Sequence, residues 1–304
     1  MKVIPFMAWR RFAAGFSLLA MLVAGGALAT RSLNWGLDFT GGTLVEVAYG
    51  DSVNLQEIRE TLEDSGYEGA LVVAFGTDRD VLIRLPLSYS DEQGVAMVEI
   101  LREAASVPVE LRRIEFVGPA VGAELREQGG LAMLLALGLV MLYVGFRFQA
   151  KFAVGAVLAL AHDVLFVLGY FSLLGLEFDL TVLAAILAVI GYSLNDTIVV
   201  ADRIRENFRK LRRTPPMEVI DVSLTETFGR TLVTSLTTLL VLLALALFGG
   251  EMIHGFALAL LAGVAIGTYS SIYVSATVLL AMGVSKEDVA IPVREGGNED
   301  GSQV

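Results

Sequence analysis

Residues 180–201 read LTVLAAILAVIGYSLNDTIVVA. Over 22 residues the only formal charge is Asp196. About 20 apolar residues, at a rise of about 1.5 Å each, carry a helix across the hydrocarbon core of a bilayer. The stretch therefore predicts a transmembrane helix with an acid inside it. Working outward, residues 12–29, 131–146, 152–175, 231–248 and 256–282 meet the same criterion, the second of them starting near Glu127. In a chain of 304 residues that is 55% hydrophobic, six such runs predict an α-helical membrane protein, not a soluble domain.

Basic residues set the orientation. Lys2, Arg10 and Arg11 precede the first run, and Arg147 and Lys151 follow the second. Arg203, Arg205, Arg209, Lys210, Arg212 and Arg213 follow the fourth, while residues 175–179 and 249–255 carry no Lys or Arg. The positive-inside rule then makes both termini cytoplasmic. The expected division is a cytoplasmic N-terminus (1–11), a first span (12–30), an exterior domain (31–128), and spans two to six (129–283) with a basic cytoplasmic loop at 202–229. A disordered cytoplasmic tail (284–304) completes it. Ala27-Leu28-Ala29 after an apolar run also fits a cleaved signal peptide. The run of about 18 residues exceeds the usual apolar core of roughly 7–15, so a retained anchor is expected. Cleavage would leave five spans and the same exterior domain.

Between Arg31 and Glu127 there are 18 acidic and 8 basic residues. That acidic balance excludes nucleic acid as a partner. With no cysteine, disulfides and thiolate metal sites are excluded, and two histidines far apart in sequence make no metal centre. No cofactor is expected. Residues 43–49, 70–75, 81–85 and 108–117 read as strands, the middle two around a turn at 76–80. Residues 54–64 place Leu55, Ile58 and Leu62 on one helical face, ended by Gly66. Ser90 and Gln93 form a capping-box pattern ahead of Val95, Val98 and Leu101. The order βαββαβ predicts a small α+β ferredoxin-like domain, and Gly118-Pro119 breaks the chain before the second span.

Ionisable groups inside spans cost roughly 2.5–3.5 kcal/mol each on insertion scales, so they are candidates for function. His162 and Asp163 lie in the third run, Asn195 and Asp196 in the fourth, and Arg230 opens the fifth. A short antiparallel connection brings Asp196 and Arg230 to the same depth, where carboxylate and guanidinium offset each other's burial. Separating them would let Asp196 take a proton, which is what a proton-coupled machine needs. Arg230, Thr234 and Thr237 share a helical face and can line a wet path. From the residues alone, a static ion pair explains Asp196 and Arg230 equally well. Helix–helix hydrogen bonding suffices for His162 and Asp163, and packing for the Thr stripe. Ala259, Gly263, Gly267, Ser271 and Ser275, four residues apart, read as a close-packing seam.

Gly36-Leu37-Asp38-Phe39-Thr40-Gly41-Gly42-Thr43 resembles the glycine-rich signature that follows the first span in the SecD/SecF family of Sec translocase subunits. Val117-Gly118-Pro119 with Val121-Gly122 and Glu124-Leu125 resembles that family's approach to span two. Residues 191–200, continuing through Asp202-Arg203-Ile204-Arg205-Glu206-Asn207, resemble its fourth span, and Phe228-Gly229-Arg230-Thr231 the start of its fifth. Four motifs in order, each at its expected membrane position, cover about residues 10–285. The resemblance implies half of an RND-superfamily bundle in the bacterial inner membrane, with the small domain in the periplasm. It implies a non-enzymatic role in which the chain, with SecD, uses the proton-motive force to promote late translocation and release of secreted proteins. Implied partners are SecD, the SecYEG channel, YajC, YidC and the unfolded secreted polypeptide. The family's charged membrane residues carry over to Asp196 and Arg230, with Asn195, His162, Asp163, Thr234 and Thr237 as supporting polar groups. Gly36, Gly41, Gly42, Gly118 and Pro119 stand where hinges would serve domain motion; ordinary turns are the alternative. An RND-type exporter of small molecules or lipids is the competing function, disfavoured by an exterior domain of only about 95 residues.

Overall fold

The computed structural model describes residues 2–86 and 89–288. Most of the tail expected at 284–304 lies outside the described residues. A short 3-10 turn (Phe6–Trp9) leads into α1 (Arg10–Arg31). The small domain then runs β1 (Asn34–Trp35), α2 (Leu37–Thr40), β2 (Gly42–Tyr49), α3 (Leu55–Asp64), β3 (Leu71–Phe75), β4 (Thr77–Leu85), α4 (Asp91–Ala104) and β5 (Val109–Val117). The bundle follows as α5 (Pro119–Arg147), α6 (Ala150–Leu174), β6 (Glu177–Phe178), α7 (Leu180–Lys210), α8 (Pro216–Phe248), α9 (Glu251–Ile272) and α10 (Val274–Ala281). Six helical segments are long and apolar enough to cross a membrane, the last spanning α9 and α10.

The four-stranded sheet has the order β3-β4-β2-β5, antiparallel throughout. This is the split βαβ arrangement expected from the βαββαβ order. Alternation along the strands sends Val45, Val47, Val72, Val81 and Ile83 to one face, where they bury against Ile58 and Leu62 of α3 and Met97, Val98 and Leu101 of α4. Asn54 caps α3 by accepting from Gln56 N, and Ser90 with Gln93 completes the capping box of α4. A bulge between Glu46 and Val47 accommodates the uneven pairing with β5.

Several helices outrun their apolar segments. α5 starts at Pro119 instead of near Glu127, because Gly118 ends the sheet and proline suits a first helical position. The segment 202–229, expected as a loop, is helical except for 211–215, since α7 and α8 continue as polar extensions beyond their spans. Hydropathy marks only the lipid-length part of a helix. Burial is uneven. Of the apolar windows, 61% in α6, 56% in α7 and 50% in the α9–α10 span is buried, against 17% in α1, 11% in α5 and 17% in α8. The bundle thus has an interior of three helices and a periphery of three.

Candidate functional site: buried polar groups of the bundle

The interior helices meet at small residues. A Cβ at Gly263 of α9 would run into the side chain of Val189 of α7, and one at Gly267 would stand 3.1 Å from Ser193. Gly169 of α6 likewise closes on Ala24 of α1. The small-residue seam read from the sequence therefore sets the α7–α9 contact. That contact carries side-chain hydroxyls into the centre of the bundle.

Asp196 lies on α7, 4% exposed. Ser235 and the charge of Arg230, both on α8, face it. Its Oδ2 has no hydrogen-bond partner, nor has the hydroxyl of Thr197, its neighbour in sequence, or of Thr231, the neighbour of Arg230. Arg230 is exposed and makes no ion pair within 4 Å among the described residues. The carboxylate and the guanidinium therefore face each other without touching. Arg230 lines a cleft of about 430 Å³ between the extensions of α7 and α8, together with Asp202, Arg203, Glu206 and Glu226. The other charges there are matched. Arg203 reaches Glu206 at 3.0 Å and Glu226 at 3.6 Å, while Arg147 and Arg205 share Asp202 at 3.6 and 3.4 Å.

The remaining polar groups divide. Thr234 and Thr237 are exposed and donate to carbonyls of their own helix, so their hydroxyls are satisfied without a neighbour. Asn195 is exposed too, on a face of α7 with Ala184, Ala188 and Gly191. Asp163 is fully buried and richly bonded. It takes Ser193 Oγ at 2.5 Å and Ser270 Oγ at 2.7 Å on Oδ2, and His162 Nδ1 lies 3.0 Å from Oδ1. Close by in sequence, Thr268 of α9 donates to Ser235 of α8 at 2.7 Å. Ser193, Ser235, Thr268 and Ser270 escape sequence reading because a hydroxyl in a helix usually bonds its own backbone. Only the register of α7, α8 and α9 reveals their partners.

The glycine-rich segment joins the small domain to the bundle. Phe39 lies against Trp35 and Phe178, with ring centroids 5.4 and 5.8 Å away. β1 pairs in parallel with β6. Asp38 Oδ2 accepts from Leu180 N at 3.0 Å at the head of α7, and Asp179 caps the next turn through Val182 N. A Cβ at Gly36 would meet Glu177 at 2.9 Å. Gly42, at φ 126°, leaves 2.5 Å between such a Cβ and Leu85 O. Gly41 sits at φ 72°, and Gly122 of α5 closes onto its N–H. These positions need glycine for close approach and left-handed backbone. Gly118 differs. It has ordinary dihedrals as the cap of α5 and open surroundings, with Phe116 3.9 Å away, and Pro119 follows it. A side-chain contact between Arg84 of β4 and Glu177 adds a charged link between sheet and bundle.

Residues 97–285 match the family described as protein export membrane protein SecD/SecF, C-terminal, and residues 26–53 match the SecD/SecF GG motif. The protein translocase subunit SecF of Vibrio alginolyticus is 50% identical, the alignment covering 98% of this chain and 96% of that protein. SecF of Pseudomonas aeruginosa is 51% identical over 95% of this chain and 94% of its own. The crystal structure of SecDF, a translocon-associated membrane protein from Thermus thermophilus, superposes with a TM-score of 0.85 at 41% identity over 92% of this chain. This chain spans 39% of that longer protein. The chain belongs to the SecD/SecF family of protein export membrane proteins.

Proposed function

We propose that this chain is one half of a proton-driven export unit. With SecD, and acting beside the SecYEG channel with YajC and YidC, it uses the proton-motive force to promote late translocation and release of secreted polypeptides. The observation that carries this reading is Asp196: a buried carboxylate with an unpartnered oxygen, facing an arginine that stands at the mouth of an open charged cleft. A buried acid without a full set of partners is costly to keep ionised, and a nearby cation offsets that cost. Bringing Arg230 against Asp196 favours the charged acid, and withdrawing it favours proton uptake. One charge moved across 100 mV yields about 2.3 kcal/mol, so a few protons per cycle can bias a domain between two positions.

An uncovered strip of α7 supports a docking place for the other half. Ala184, Ala188, Gly191 and Asn195 of α7 form an exposed strip of small side chains, and the helices that pack beside it, α5 and α8, are the least covered with α1. Small residues on an uncovered helix face favour close docking of another helix. Asn195 and Asp196 are neighbours on that helix, so a partner seated there adjoins the acid. The distribution of Lys and Arg supports an inner-membrane orientation with both termini cytoplasmic and residues 31–128 in the periplasm. There, domain movement would pivot at Gly118-Pro119, where the surroundings are open, more readily than at Gly36, Gly41 or Gly42.

Asp196→Asn keeps the shape of the side chain and removes its titration. In inner-membrane vesicles carrying this substitution, release of a secreted protein should lose its dependence on an imposed proton gradient while ATP-driven entry persists. Gradient-stimulated release at the wild-type rate would refute the proton role.

A further inference from the structure

We propose that His162 and Asp163 form a second buried proton-binding site, in which His162 takes up one proton at Nε2 opposite the Asp163 carboxylate. Asp163 is completely buried near the middle of α6 and has partners on three helices: it accepts from Ser193 of α7 and Ser270 of α9, and His162 Nδ1 of α6 stands 3.0 Å from Oδ1. Each of these neighbours can donate to a carboxylate, the two hydroxyls through Oγ–H and the imidazole through a ring N–H. Both serine hydroxyls lie on Oδ2, that of Ser270 also 3.2 Å from Gly267 O, which leaves Oδ1 to the imidazole. With Nδ1 engaged on Oδ1, the open position on the ring is Nε2. His162 is 94% buried by its exposure of 6%, and that Nε2 has no partner.

The chemistry of the two states is simple. With Nε2 bare, the imidazole is neutral and the site holds one negative charge in the middle of the bundle. Proton uptake from water forms one N–H bond and leaves an imidazolium beside a carboxylate, net neutral. Release returns the proton and the charge. Histidine is the side chain whose ordinary titration falls near neutrality. The other groups that face the pair are few. From α9, the Tyr269 ring lies 6.2 Å from the imidazole, its hydroxyl donating to Ala13 O of α1. From α7, Asp196 follows Ser193 by one helical turn. α1 and α10 carry Arg or Lys only at the ends of α1, and α5 carries its charges at its two ends. Among the described residues, neither His162 nor Asp163 makes any other ion pair. The site stands independently of the Asp196 reading, because its proton binds different atoms on a different helix.

The sequence makes a direct test possible. His162 and His254 are the only histidines, so His254→Gln leaves one imidazole to observe. In the full chain labelled with ¹⁵N-histidine and placed in phospholipid vesicles, the nitrogen resonances report the protonation of each ring atom. Nδ1 should stay protonated while Nε2 changes state reversibly between about pH 5 and 9. Adding Asp163→Asn should lower the protonated population at a given pH about tenfold or more, since the counter-charge is gone. Ser270→Ala, a milder change, should move that population the other way by leaving the carboxylate charge less dispersed. It also keeps the test alive if Asp163→Asn does not fold. A single unchanging state of Nε2 across the range, or a titration untouched by Ser270→Ala, overturns the proposal.

Discussion

Asp163 and Asp196 are the same residue type in the same bundle, with opposite surroundings. The first has hydrogen-bonding partners on both oxygens; the second keeps an oxygen without one. Both stand out in the sequence as charges in apolar runs, because a carboxylate in such a run is costly until partners offset it. Which of them is satisfied could not be read there, since it depends on serines contributed by α7 and α9. Glycine is more legible. The four-residue spacing of the α9 seam predicts close packing, and Gly263 meets Val189 where that spacing requires it. Gly263→Leu should force α7 and α9 apart and destabilise the chain by about 1–3 kcal/mol or more. Thermal unfolding in detergent, followed by tryptophan fluorescence or circular dichroism, would measure the loss. Gly191→Leu serves as the control, because a Cβ at Gly191 meets nothing within 4 Å.

At the scale of elements, hydropathy marks a segment of each of the six membrane-length helices, and most of those helices run past it. It follows lipid-length segments, whereas the helices end where caps and prolines dictate. α7 gains its lower turns from Asp202 to Lys210, and α8 its first turns from Pro216, neither of which is apolar enough to be counted. The ferredoxin-like order was readable because strand alternation and two caps, Asn54 and Ser90, punctuate it. The role of Asp38 was not, because its partner lies 142 residues away. Its carboxylate adds an acceptor at the head of α7 alongside Asp179. Asp38→Ala should cost about 0.5–2 kcal/mol of stability, as loss of a helix cap does. Asp38→Asn, which keeps an acceptor oxygen, should recover most of it in the same unfolding assay.

For the whole molecule, the uneven covering of the bundle marks the face on which the proposed partner would sit. A self-sufficient membrane protein has no need of a strip of alanine and glycine on an uncovered helix beside a buried acid. The absence of cysteine from the sequence makes that side easy to probe. Gly191→Cys should react rapidly with a lipid-permeant maleimide in the isolated chain and be protected once a second six-span chain is bound. Equal labelling in both states would show that the partner sits elsewhere.

α7 has 31 residues, and at about 1.5 Å each it is a rod of roughly 46 Å. Its head is gripped by Asp38 at the root of the sheet domain, and Asp196 rides midway down its shaft. An α-helix scarcely stretches, so an axial shift imposed at one end arrives at the middle almost undiminished. The same rod works in reverse: a sideways or axial nudge beside Asp196 is delivered to the domain's footing without any flexible joint in between.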